Sequence, residues 1–384
     1  MEMVRTALVA TLILSAVRLS AADLGLAPGN LVAHEWGTFT SVAGEHGAPV
    51  AWAPLSGPAD LPCFVERMGA QNVKAFSGLV RMETPVLYFY AQRPTTLSVH
   101  VDFPKGWITE WYPQAARVGK NDFPNSFEPG YGYRNGSIGW DSVQVLPGEN
   151  LQFPGSKGAS HYYAARETDS APLRIRQQQE KLIFYRGIGS FQAPLWPKYL
   201  ADGKIEIRNV GEQPIPVAIV FENRGAKLGY RMVRGISDIV NVDAPEMTGN
   251  LAQLRQHLAE ELVKAGLYRK EALAMIETWH DSWFEEGTRV FYIYPRAGVD
   301  AVLPLKITPA PEAVERVFVG RVEVLSPWTR QTIQGAADQQ NMATLKKFGR
   351  FLEPFATQMH AKSSFMQQAE NEIRQNASGK ACVQ

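Results

Sequence analysis

Cysteine is nearly absent from this chain: Cys63 and Cys382 are the only two in 384 residues, and neither belongs to a CxxC pattern. That excludes a disulfide-stapled scaffold, a zinc ribbon and a dithiol redox centre. In an oxidising compartment the two could pair and tie the C-terminal tail back to the N-terminal region. Their spacing leaves the paired and unpaired states equally open. An excess of charge of either sign is missing too. With 39 basic and 38 acidic residues the net charge is +1, so no broad field draws nucleic acid or an anionic membrane, and no nucleic-acid partner is expected. No apolar run reaches the roughly 20 residues that span a bilayer, so no transmembrane segment is expected. The chain also lacks a GxSxG elbow, HExxH, a Walker A loop and a GxGxxG fingerprint, which takes weight from the common hydrolase and nucleotide-binding classes.

What is present begins with an export signal. Arg5 supplies a basic start, Ala7 to Val17 an apolar stretch, and Ser20-Ala21-Ala22 the small residues a signal peptidase accepts before Asp23. Residues 1–22 are therefore expected to be a cleaved signal peptide and the mature protein to be secreted or periplasmic. The remainder, about 360 residues, exceeds the roughly 250 to 300 at which one core stops growing. The expected division is a β-sandwich domain over 23–170 and a second β unit over 171–326, which carries a helical hairpin at 249–284. A C-terminal helical extension with a polar tail follows over 327–384.

The patterning is mainly β. Residues 85–90 and 97–103 are β-branched and aromatic runs separated by Gln92 to Thr95, which predicts a hairpin. In the second run Leu97, Val99, Val101 and Phe103 alternate with Ser98, His100 and Asp102, so the polar trio should share the face opposite the core. Further strands are expected at 204–208, 215–221, 289–294, 301–307 and 316–324, with turns rich in Gly, Pro and Asn between them. Such a pattern predicts antiparallel β-sandwich units. Asn250 can cap a helix carrying Leu251, Leu254, Leu258 and Leu262, with Gly266 ending it. A second helix is expected from about Arg269 to Phe284, with Leu273, Ile276, His280 and Trp283 on one stripe. The two make an inserted αα-hairpin. C-terminal helices follow around 341–360, with a break or kink at Pro354, and the tail after Lys362 reads as loose.

The segments "HEWGTFTSV", "RMETPVLYFY", "LIFYRG", "ETWHDSWFEEGTRVFYIYPR" and "VFVGRVEVLSP" resemble those of an uncharacterised family of secreted bacterial proteins with a HEWGTFT opening motif. The resemblance covers Leu31 to Pro327. It implies a bacterial, exported origin and carries no activity or site residue with it.

Chemistry must therefore be sought in three His-carboxylate combinations: His34-Glu35, His100-Val-Asp102 and His280-Asp281, the last followed by Glu285-Glu286. Neutral imidazole and carboxylate are the usual ligands of zinc and non-haem iron. A divalent metal on His34, His100, Asp102 and His280 is one expectation, with His161 or His280 as the distal histidine of the HxD motif. HxD is a weak signal, because seven histidines among this many acidic residues produce one by chance about as often as not. The competing account puts His34 and Glu35 on opposite strand faces, His100 and Asp102 on a solvated face, and His280 on a backbone carbonyl at a helix end. Glu83 and Arg186 adjoin strongly apolar runs, where an unpaired charge is costly. They join His34 and Glu35 as candidate catalytic groups or form a structural ion pair. Trp36 is a candidate substrate wall. Tyr131 and Tyr133, in the Gly-rich stretch 130–136, are candidates for contacting sugar or peptide.

Two function classes compete. One is an extracytoplasmic, hydrolase-like enzyme, with a carboxylate pair or a His-carboxylate metal centre in a cleft between sandwich and αα-hairpin. The other is a non-catalytic β-sandwich that binds a small molecule, glycan or peptide on surfaces supplied by nine tryptophans and thirteen tyrosines. Convergence of ionisable groups in one concave site would favour the first, and an exposed aromatic strip the second.

Overall fold

A nine-stranded sheet organises the molecule. The computed structural model describes residues 30–57, 61–68, 77–119, 135–156 and 160–376. The leader 1–22, Asp23, Tyr131, Tyr133 and Cys382 lie outside the described residues. Cys63 is disulfide-bonded.

In spatial order the principal sheet runs Leu228–Ile236, Ile215–Asn223, Gly287–Tyr294, Ala313–Val324, Val32–Val42, Val80–Tyr90, Ile183–Gly189, Gly106–Tyr112 and Glu66–Arg67. Neighbours are antiparallel except at the centre, where Val32–Val42 lies parallel to Ala313–Val324. A parallel pair needs a long crossover, and here nearly the whole chain supplies it. The sheet crosses residue 170, since Val80–Tyr90 pairs with Ile183–Gly189. No cut at that point leaves it whole.

One face of this sheet packs on two smaller sheets. The first follows the order Leu305–Thr308, Thr95–Phe103, Gly136–Val145, Leu173–Ile175 and Gln178–Glu180. The second joins Leu195–Tyr199, Ile205–Asn209 and Ile239–Val242. Between the layers Phe39, Met82, Leu87, Val99, Val101, Trp140 and Phe318 form the largest core. The architecture is thus mainly β, antiparallel and sandwich-like, as the alternation implied. Leu97, Val99, Val101 and Phe103 point inward, while Ser98, His100 and Asp102 are half-buried on the other face.

The hairpin expected between 85–90 and 97–103 does not form. Val80–Tyr90 belongs to the principal sheet and Thr95–Phe103 to the opposite layer, where it pairs with Gly136–Val145 and Leu305–Thr308. Each run has one strongly apolar face, and facing one another across the sandwich buries both. The strand expected at 301–307 is shorter, because Arg296–Val302 is helical and only Leu305–Thr308 extends.

The other face of the principal sheet carries the αα-hairpin. In Leu251–Lys264 the Asn250 side chain accepts from the amides of Ala252 and Gln253, the N-cap that the sequence indicated. The second helix is shorter than expected. Arg269–Thr278 ends at Trp279, and a single turn, His280–Trp283, follows. Its buried stripe is Ala272, Met275, Ile276, Trp279 and Trp283, whereas Leu273 is exposed. These residues pack on Trp36, Tyr88, Phe221 and Phe291 of the sheet. C-terminal helices Pro327–Asp338, Met342–Lys346, Leu352–Gln358 and Ser364–Asn376 close over Val42 and Trp52. The break falls at Gly349, at φ +48°, and Pro354 sits in the first turn of Leu352–Gln358, where its missing amide is harmless. Within the segment after Lys362, Ser364–Asn376 is helical and buries Met366 and Ala369. No helix among the described residues is long and apolar enough to cross a membrane.

Candidate functional site

The helix-bearing face of the principal sheet is apolar at one end and charged at the other. A bulge in Val80–Tyr90 makes this possible. Trp36 opposes Val86 and Thr38 opposes Glu83, so two residues of one strand span three of its neighbour. Thr84 absorbs the extra residue at φ +47°, an uncommon conformation for a β-branched residue. Strand parity flips there, and Arg81 and Glu83 share a face with Val86 and Tyr88. A second irregularity, opposite Arg186 and Gly187, turns both Thr109 and Glu110 toward the same space.

These side chains floor a cavity of about 370 Å³, within the range of small-ligand sites. Arg81 donates to Thr109 Oγ1 at 3.1 Å and to both Glu110 oxygens at 3.3 and 3.1 Å. Glu83 accepts from Arg350 Nη2 at 2.6 Å, and Arg186 reaches Thr84 Oγ1. Burial pushes the Glu83 carboxyl up, but Arg350, Arg186, Arg321 and Arg81 outweigh it and hold the group below the usual carboxylate value. Arg81 is lowered by burial, with Arg186 and Arg350 adding to the effect against Glu110 and Glu83.

The wall comes from the end of the αα-hairpin. Arg289 binds the carbonyls of Trp283 and Glu285 and the Glu323 carboxylate, fastening residues 283–286 to the sheet. Arg321 adds Ser282 Oγ at 2.7 Å and Glu285 Oε1 at 2.8 Å. Ser282 and Glu285 are thereby fixed along the cavity, with Asp281 beside them on its lining. Burial raises the Glu285 carboxyl further than Arg321 and Arg289 lower it. One cavity thus carries two carboxyls displaced in opposite directions, the pattern that separates acid from base in many active sites.

At the rim, His161, from the 3₁₀ turn His161–Arg166, meets His280 and Asp281. One nitrogen or oxygen of each lies within 4.8 Å of the others, and among the described residues no other trio of His, Cys, Asp or Glu converges so closely. His161 Nδ1 is 3.2 Å from Asp281 Oδ1. Two ligands of a tetrahedral ion with bonds near 2 Å stand about 3.3 Å apart. His280 Nδ1 lies 2.8 Å from the Glu277 carbonyl. A carbonyl only accepts, so Nδ1 carries the proton and the Nε2 lone pair is open, an orientation typical of ligating histidines. The His161 ring stacks on Trp279 at 6.5 Å.

His34, Glu35 and Trp36 are elsewhere. His34 Nδ1 contacts Glu271 Oε2 at 2.8 Å, enclosed by Tyr268 and Tyr90, and Glu271 also accepts from Tyr90 and from the Tyr268 amide. This buried, hydrogen-bonded His34–Glu271 pair docks the second hairpin helix on the first strand. Glu35 points to the opposite face, where Tyr185 and Arg316 bind it, and Trp36 is wholly buried beside Tyr88. Glu83 opposes Thr38, four residues along the strand from His34, or about 13 Å at 3.3 Å per residue. His34 and Glu83 therefore do not share a site. His100 and Asp102 are 3.1 Å apart on a half-exposed face of a different sheet. The metal set His34, His100, Asp102 and His280 is not assembled, because its members belong to three separate environments.

Arg81, Glu110 and Arg350 complete the site and were missed. Arg81 begins the same apolar run that drew notice to Glu83, and Arg350 stands between Phe348 and Phe351, so charge embedded in apolar sequence was the available signal. No protein-family model matches the chain, and no curated protein matches it.

Proposed function

We propose that this is an extracytoplasmic, hydrolase-like enzyme, assisted by a divalent metal, acting on a small molecule in the cavity between sheet and αα-hairpin. The observation that carries this reading is the convergence of His161, His280 and Asp281 at the rim of a cavity lined by carboxylates and guanidiniums, with Glu83, Arg81 and Arg186 buried. Two neutral imidazoles and one carboxylate suit zinc or ferrous iron and leave coordination positions for water and substrate. The ion would supply a more acidic water and polarise the carbonyl or phosphoryl oxygen under attack. Glu285, disposed to hold a proton, is placed to deliver it to the leaving group, while Glu83 remains ionised as its charged counterpart. The alternative, a glycan- or peptide-binding sandwich with aromatic surfaces, has less support. Among the nine tryptophans none is exposed, and Trp36, Trp52, Trp107, Trp140, Trp279 and Trp283 are buried. Export to the periplasm or beyond rests on the leader-like segment and on the family resemblance.

The test is hydrolysis of a panel of small ester, amide and phosphoester substrates by the purified chain. Activity that disappears on chelation, returns with zinc or iron, and is absent from His161→Ala and His280→Ala supports the proposal. Turnover indifferent to chelator and to both substitutions would refute it.

A further inference from the structure

Arg350 reaches the cavity from the C-terminal extension, outside both β layers. It sits in the turn Gly349–Phe351, and its guanidinium lies beside the stacked rings of Trp52 and Phe351, 5.5 and 5.2 Å from their centres. The paired rings attract the cation and limit where it can lie. Nη2 donates to Glu83 Oε1, while Nε and Nη1 have no hydrogen-bond partner among the described residues. Arg350 lines the cavity, and its side chain keeps about 15% of its surface accessible. It is thus a half-buried guanidinium with donors to spare, facing the space into which His161 and Asp281 also open. Arg81 lies close enough to feel the charge of Arg186 and Arg350, so an anion placed among them would meet three guanidiniums.

We infer that the cavity receives a small organic anion, and that Arg350 is the specificity-determining residue that grips its oxyanion group while the reacting end lies at the histidine rim. This rests on the proposed enzymatic reading for the reacting end alone; the anion subsite stands on Arg350 and its surroundings. Carboxylate and phosphate share the required chemistry, two oxygens matching the edge of a guanidinium.

The experiment is calorimetric titration of the full chain with inorganic phosphate and, separately, with succinate. The proteins compared are wild type, Arg350→Gln and the double variant Glu83→Gln with Arg350→Gln, in which no carboxylate is left without its partner. Saturable binding of either anion to wild type is expected, weakened about tenfold or more in both variants, as loss of a charge-assisted hydrogen bond requires. Phosphate binding points to phosphoesters and succinate binding to carboxylic acids. Failure of both anions to bind wild type, or equal affinity in all three proteins, would overturn the inference. Zinc titration of the same samples separates the two claims: Arg350→Gln should leave zinc affinity unchanged, and absence of zinc binding with anion binding intact would fault only the metal site.

Discussion

Adjacent residues in the first strand, His34 and Glu35, carry out unrelated tasks because successive side chains of a strand point to opposite faces. Each is buried, and each is satisfied by a partner far along the chain: Glu271 for His34 and Arg316 for Glu35. Their polarity was legible in the sequence as a demand for partners. The partners themselves were not, since contacts separated by more than 200 residues leave no local trace. His34→Ala and Glu271→Ala should each destabilise by about 1–3 kcal/mol, the cost of leaving a buried polar group unsatisfied. The double variant should lose much less than the sum, and zinc binding should survive in all three. Additive losses in urea unfolding would show that the two side chains do not interact. Glu83 and Glu285 give opposite signs with pH. Because the folded Glu83 carboxyl is held below its ordinary value of 4.5, its stabilisation is complete above that pH and is lost as pH falls through the folded value. Glu285 is raised above 4.5, so its contribution is complete below that pH and is lost as pH rises through the folded value. The stability gap between wild type and Glu83→Gln should therefore narrow on acidification, and that between wild type and Glu285→Gln should narrow on raising the pH. Unfolding curves collected from pH 7 down to well below pH 4 for Glu83→Gln, and upward from pH 4 for Glu285→Gln, that diverge the other way would contradict the assigned directions.

Among elements, the bulge at Thr84 decides where the site lies. Without it Arg81 and Glu83 would point into the sandwich core beside Leu87 and Phe89, and no charged floor could form. Bulges are common where a strand must re-aim side chains at a functional surface. Sequence alternation alone could not reveal this one, because the apolar run 85–90 is buried on both faces. Where one face is solvated, as in Thr95–Phe103, the pattern was readable in full, although its pairing partner was not. The N-cap of Leu251–Lys264 was readable because capping is a local signal. Asn250→Ala should cost about 1 kcal/mol. Thr84→Val keeps the shape of the bulge and removes the acceptor for Arg186, so it should cost about 1 kcal/mol. Thr84→Gly should cost no more than Thr84→Val, since glycine tolerates the positive φ. Denaturant midpoints would check all three, and a larger loss in Thr84→Gly than in Thr84→Val would argue against strain at this position.

At the scale of the whole molecule, the first strand and the last strand of the principal sheet lie side by side at its centre, so the sheet is complete only when the distant parts of the chain have come together. That arrangement brings the hairpin end, the 3₁₀ turn bearing His161 and the C-terminal extension bearing Arg350 to one cavity. Sandwich class, αα-hairpin and C-terminal helices could be read from periodicity, whereas the site could not, because its groups come from at least five segments with no common motif. The central claim is that His161, His280 and Asp281 hold a divalent ion at the mouth of this cavity. Zinc binding to metal-stripped protein, followed by calorimetry and elemental analysis, tests it most directly. The expected result is a single equivalent bound by wild type and by His100→Ala, and none retained by His161→Ala or His280→Ala although both remain folded. Absence of stoichiometric binding to wild type, or undiminished binding to folded His161→Ala and His280→Ala, would contradict the claim.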